Sequence, residues 1–138
     1  ISIGDNYASL KLKNLNVNYL NLGKIESEKK LSQLYKITDL LISPSIDDVG
    51  PMMINEAVIS GVPVISFNIG VAKDLINNNI NGYIVNKINY KNLSNYFKKF
   101  LFLKNTELKK MKKNSRKIGL KKSSFKSHIT NFKKIIDN

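Results

Sequence analysis

The chain has 138 residues, 42% of them hydrophobic, with a formal net charge of +13 at pH 7 and a mean hydropathy of −0.23. That is enough chain for one core in one domain, and no window approaches the roughly 20 apolar residues of a membrane span. Zero cysteines exclude disulfides and thiolate metal sites, one histidine leaves a His-based zinc site or triad little to build on, and the chain opens on strand-like residues rather than on a signal peptide.

In chain order, residues 1–3 read as a strand running into Gly4 and Asp5, and the asparagine-rich residues 7–17 as one or two helical turns. Residues 17–22 alternate apolar and polar as a strand does, and Gly23 ends it. Ser27 is placed as an N-cap with Glu28 in the first turn, favourable to the helix dipole. Leu31, Leu34 and Tyr35 then give the core-facing stripe of a helix, and residues 39–43 (DLLIS) the next strand.

The richest stretch follows, residues 43–67. A short acidic loop carries Asp47 and Asp48. Pro51 stands where a first-turn proline is tolerated, because its missing N–H would have had no intrahelical partner. Gly61 closes the helix where a left-handed residue is usually wanted, and Val62, Val64, Ile65 and Phe67 form the apolar run of a strand covered on both faces. Glu56 stands about two turns into the helix among Met53, Ile54, Ala57 and Val58, an apolar setting in which an ionised side chain needs a partner. In an open α/β sheet the ligand crevice lies outside the carboxyl ends of the strands, and the free N–H groups of the next helix suit phosphates or sugar hydroxyls. Taken alone, a helix whose one polar stripe meets solvent accounts for the same residues.

Gly70 precedes a short helix (VAKDLI), and Asn81-Gly82 is a turn signal before a strand at residues 83–85. This β-then-α alternation predicts an α/β fold, a Rossmann-like parallel sheet with covering helices. From residue 89 the pattern is helical only. Tyr90, Leu93, Phe97, Phe100 and Leu101 make one apolar face; Leu108, Met111 and Ile118 make a weaker one, broken near Gly119; Phe125, Ile129, Phe132, Ile135 and Ile136 mark a last helix, with His128 a surface residue beside it. Up to residue 90, eight lysines cancel eight acids; beyond it, fourteen lysines and Arg116 stand against Glu107 and Asp137, which is the whole excess of +13.

Pro-Ser, an acid, seven residues, Glu-Ala and, after a short gap, Gly-Val-Pro-Val form a composite pattern. It resembles the C-terminal, nucleotide-sugar donor domain of family-four retaining glycosyltransferases, which have two facing Rossmann-like domains (the GT-B fold). The resemblance implies that residues 1–138 are one donor-binding domain, residues 1–88 its α/β part and residues 89–138 its basic helices. It implies that Asp48 faces the sugar hydroxyls, with Asp47 beside it open to the same role, and that Glu56 holds the ribose. Val49, Gly50, Pro51 and Met52 supply backbone contacts. Gly23, Lys24 and Ile25 become base-site candidates, although a plain strand-to-helix connection is the simpler reading of the Lys24 side chain; Gly70 is placed close to the donor. Asp48 departs from the family's usual Glu by one methylene.

The implied activity is transfer of a sugar from a nucleoside diphosphate sugar to a hydroxyl acceptor with retention, in polysaccharide or glycolipid synthesis, with no cofactor and no metal. The same resemblance leaves the acceptor domain, the first strand of the donor domain and the arginine–lysine diphosphate clamp unmatched. It therefore implies an N-terminally truncated segment of a longer, cytoplasmic protein that is inactive alone. Two alternatives attach to residues 91–138: a non-enzymatic basic module that binds nucleic acid, disfavoured because its aromatics fall on the apolar stripes, and peripheral contact with an anionic membrane at its inner face.

Overall fold

The computed structural model describes residues 1, 18, 20–47 and 52–123. The strand expected at residues 1–3, the turns at 7–17 and the last helix with His128 lie outside them, and of the strand expected at 17–22 the described part carries only a bridge at Asn21. The chain divides into two compact units, residues 1–34 and 35–138.

In the first unit Gly23 takes a left-handed φ of 61°, and its N–H donates to Asn21 Oδ1 at 3.0 Å. Helix α1 (Glu28–Ile37) starts as its sequence requires: Ser27 Oγ accepts from the Lys30 N–H at 3.4 Å, and the Leu31 N–H bonds the Ser27 carbonyl at 2.9 Å.

The second unit is an α/β layer structure. Its three strands, β1 (Leu41–Ser43), β2 (Val64–Phe67) and β3 (Gly82–Val85), pair in parallel in chain order, with Leu41 opposite Val64 and Val64 opposite Gly82. The connections are α2 (Met52–Ser60) between β1 and β2, and α3 (Ala72–Leu75) between β2 and β3; α4 (Tyr90–Leu101) and α5 (Asn105–Lys122) follow. All four β2 residues are buried, as expected of the central strand of a parallel sheet covered on both faces. Alternation along β2 and β3 sends Ile65, Phe67, Tyr83 and Val85 into one cluster with Leu93 and Phe100 of α4 and Met111 of α5. Helix α2 packs on β1 and β2 and also contacts α3 and α5, and its Ile54, Ala57 and Val58 are fully buried.

Two details depart from the sequence reading and a third adds to it. Helix α5 runs straight through Gly119 instead of breaking there, because Gly119 lies against α2: a Cβ at that position would sit 2.6 Å from Ile59 Cα. Asn81 stands in the turn before β3, as expected, but is not on the surface. It is fully buried, its Oδ1 accepting from the Asn77 N–H at 2.7 Å and its Nδ2 donating to the Leu75 carbonyl at 3.0 Å, while Asn79 takes the positive φ of 64°. The apolar face of α4 is only half covered: Leu93 and Phe100 are buried, whereas Tyr90 and Leu101 remain exposed.

Three cations of α5 have structural partners. Arg116 donates to the Ile59 carbonyl in the last turn of α2, and Lys122 to the Asp74 carbonyl of α3, the favourable placement of positive charge at carbonyl-rich helix ends. Lys112 pairs with Asp39 at 2.6 Å, and Ser115 Oγ donates to the buried Val62 carbonyl at 2.8 Å.

Candidate functional site

In a parallel sheet every strand presents its carboxyl end on the same edge, which is where ligands of this fold class bind. β1 ends at Ser43 and leads through Asp47, an exposed residue, towards α2; β2 ends at Phe67 and leads through Asn68 and Gly70 to α3. Gly70 has a φ of 46°, a left-handed conformation suited to glycine. The next edge is tied by the Asn68 N–H to the Val85 carbonyl at 3.1 Å and by Asn68 Nδ2 to Asn86 Oδ1 at 3.1 Å. Met52 opens α2 and is exposed, and no acidic residue occupies the first turn of that helix, so its N–H groups meet no carboxylate of their own helix. Asp48, Val49, Gly50 and Pro51 lie outside the described residues.

Glu56 follows Met52 by four residues, roughly 6 Å along the helix axis, and is half-buried. Its partner is Tyr35, near the C-terminal end of α1, whose hydroxyl donates to Glu56 Oε2 at 3.0 Å; the Met53 carbonyl lies 3.4 Å from the same hydroxyl. A phenol has one proton to give, and the shorter contact to a charged acceptor takes it. Tyr35 is 6% exposed. Burial first, then its hydrogen bond to Glu56 and the negative charge there, push the phenol well above its ordinary value. It therefore remains a protonated donor across the neutral range. Among the described residues Glu56 is in no ion pair, so its carboxylate keeps acceptor capacity beyond the Tyr35 bond.

Tyr35 is the residue that the sequence reading placed in the core stripe without a role. Two demands legible in the sequence pointed to it: a buried tyrosine needs a partner for its hydroxyl, and a carboxylate among apolar neighbours needs a donor. The two lie 21 residues apart in the chain, on different helices. Gly23, Lys24 and Ile25 belong to the first unit, where Lys24 pairs with Glu26 at 3.1 Å on the surface. Among the described residues no three His, Asp or Glu side chains come together to hold a metal ion, and no helix is long and apolar enough to cross a membrane.

Residues 5–118 match the family described as "Glycosyl transferases group 1". The chain belongs to that family. The fold of group 1 glycosyl transferases recurs in solved structures that align with almost the whole of this chain. A glycosyltransferase from Rickettsia africae ESF-5 is 26% identical, with a TM-score of 0.77 over 96% of this chain and 38% of that one. Sucrose-phosphate synthase from Thermosynechococcus elongatus gives a TM-score of 0.80 at 18% identity, over 96% of this chain and 33% of that one. HepE from Anabaena, solved in complex with UDP-glucose, gives 0.75 at 18% identity, over 98% of this chain and 39% of that one. The chain thus spans between 33% and 39% of the length of these structures. No curated protein matches it in sequence. The α/β architecture, a three-stranded parallel sheet with flanking helices, is that of the GT-B glycosyltransferases.

Proposed function

We propose that this chain is the donor-binding part of a glycosyltransferase that moves a sugar from a nucleoside diphosphate sugar to a hydroxyl acceptor with retention of configuration. The observation that carries the reading is Glu56, a half-buried carboxylate of α2 that accepts from the buried Tyr35 hydroxyl, in a chain of the group 1 family. Glu56 accepts hydrogen bonds from the ribose hydroxyls, and Asp48 or Asp47 from those of the transferred sugar. The first-turn N–H groups of α2, with no acid of their own turn to satisfy them, stabilise the negative charge that develops as the diphosphate departs. Gly70 lets the backbone after β2 approach the donor closely. The solved complex of HepE with UDP-glucose supports a nucleotide-sugar donor.

On this reading a second domain supplies the acceptor site, and the acceptor is a growing polysaccharide or glycolipid met in the cytoplasm, at the inner face of the membrane. The decisive experiment is Glu56→Ala in the complete protein. The affinity for a nucleoside diphosphate sugar is expected to fall by about 1.5–3 kcal/mol, the scale of hydrogen bonds to a charged group. An unchanged affinity, measured by titration calorimetry, argues against the assignment.

A further inference from the structure

Within the second unit, the Tyr35 hydroxyl bonds the Glu56 carboxylate of α2 at the candidate site. That contact deepens the donor-binding reading and rests on it. We infer that Tyr35 is a positioning residue: its hydroxyl holds one oxygen of the Glu56 carboxylate so that the other faces the crevice, ready for the vicinal hydroxyls of a ribose. Three observations converge. The tyrosine ring is buried, and of the two acceptors beside its hydroxyl the Glu56 carboxylate is the nearer. The hydroxyl lies 3.0 Å from Glu56 Oε2. And no charged side chain among the described residues competes for the carboxylate.

A glutamate on a helix has three side-chain torsions to fix, and freezing them has an entropic cost at the moment of binding. A donor that has already fixed one oxygen in the free protein removes much of that cost from the binding step. Tyr35 itself touches no substrate atom. It acts only through Glu56, which gives the inference a readout that a plain packing role lacks.

The test is a double-mutant cycle in the complete protein. It combines Tyr35→Phe and Glu56→Ala, with the tightest binder among UDP, GDP and ADP and with the 2′,3′-dideoxy form of that nucleotide as probes. Tyr35→Phe should weaken binding of the ribonucleotide about five- to tenfold, leave the dideoxy form within twofold of wild type, and add nothing once Glu56 is alanine. The two probes are compared on one variant, so a lowered folded fraction cancels from their ratio. Equal loss for both nucleotides, or a loss that persists in the Glu56→Ala background, would assign Tyr35 to packing alone and overturn the inference. No loss in Tyr35→Phe while Glu56→Ala weakens binding also overturns it, but leaves the donor-binding reading standing. No loss in Glu56→Ala removes both.

Discussion

Tyr35 ties the candidate site to the stability of the domain through one proton. Its phenol is raised from the ordinary value of 10.0, so below pH 10 the folded and unfolded chains hold the same proton and the full contribution is present. Above that, the unfolded chain releases the proton while the folded one retains it, and stability falls as pH rises towards the folded value. Tyr35→Phe should therefore flatten the decline in stability above about pH 10, measured as the difference between urea-unfolding curves of variant and wild type. A decline of equal steepness in both would deny the buried, hydrogen-bonded phenol. Sequence reasoning reached half of this pair. The helical stripe of Leu31, Leu34 and Tyr35 placed the ring inside, and the composite acid pattern singled out Glu56. What it lacked was the contact between them, because periodicity reports which face of a helix is covered and says nothing of which side chain on another helix covers it. The Asn81-Gly82 pair did mark the turn before β3, but only the packing shows that the amide is buried and closes the turn from inside.

At the scale of elements, the seam between α2 and α5 shows how a polar, small-residue face does the work expected of an apolar one. Lys112, Ser115, Arg116 and Gly119 recur at helical spacing. They meet Asp39, the Val62 carbonyl, the Ile59 carbonyl and the backbone of Ile59 in turn. A search for apolar residues at that spacing finds Leu108, Met111 and Ile118 and reads Gly119 as a break, because glycine weakens an isolated helix. Close approach of two helix backbones outweighs that propensity. Gly119→Ala would bring its Cβ 2.6 Å from the Ile59 Cα and N atoms, contacts that only movement of a backbone relieves. It should destabilise the domain by about 1–3 kcal/mol, the range for overpacking, seen as a lower urea midpoint with an unchanged slope. Ser115→Ala should cost about 1 kcal/mol, since it leaves the buried Val62 carbonyl without its hydroxyl partner. Full stability in both variants would mean that α2 and α5 do not approach this closely. The order β1–α2–β2–α3–β3, by contrast, was legible throughout, since each strand is a short apolar run bounded by turn residues and each helix carries its own start and stop.

For the molecule as a whole, the basic excess sits beyond residue 90, and part of it is structural: Lys99 lies 5.1 Å over the Tyr83 ring, and Lys112, Arg116 and Lys122 have the partners described above. Lys109, Lys110, Lys113 and Lys117 are exposed. Replacing those four by Gln should leave nucleotide-sugar affinity within twofold of wild type, while weakening any salt-dependent binding to oligonucleotides or anionic vesicles. A loss of donor affinity would bring α5 into the donor site. Where a nucleotide sits against α2 decides the function, and a crystal structure of the complete protein with a bound nucleoside diphosphate measures that directly. The predicted result has both ribose hydroxyls within about 3.2 Å of the Glu56 carboxylate, with the Tyr35 hydroxyl still on Oε2. A nucleotide bound elsewhere, with that carboxylate in contact only with protein, would contradict it.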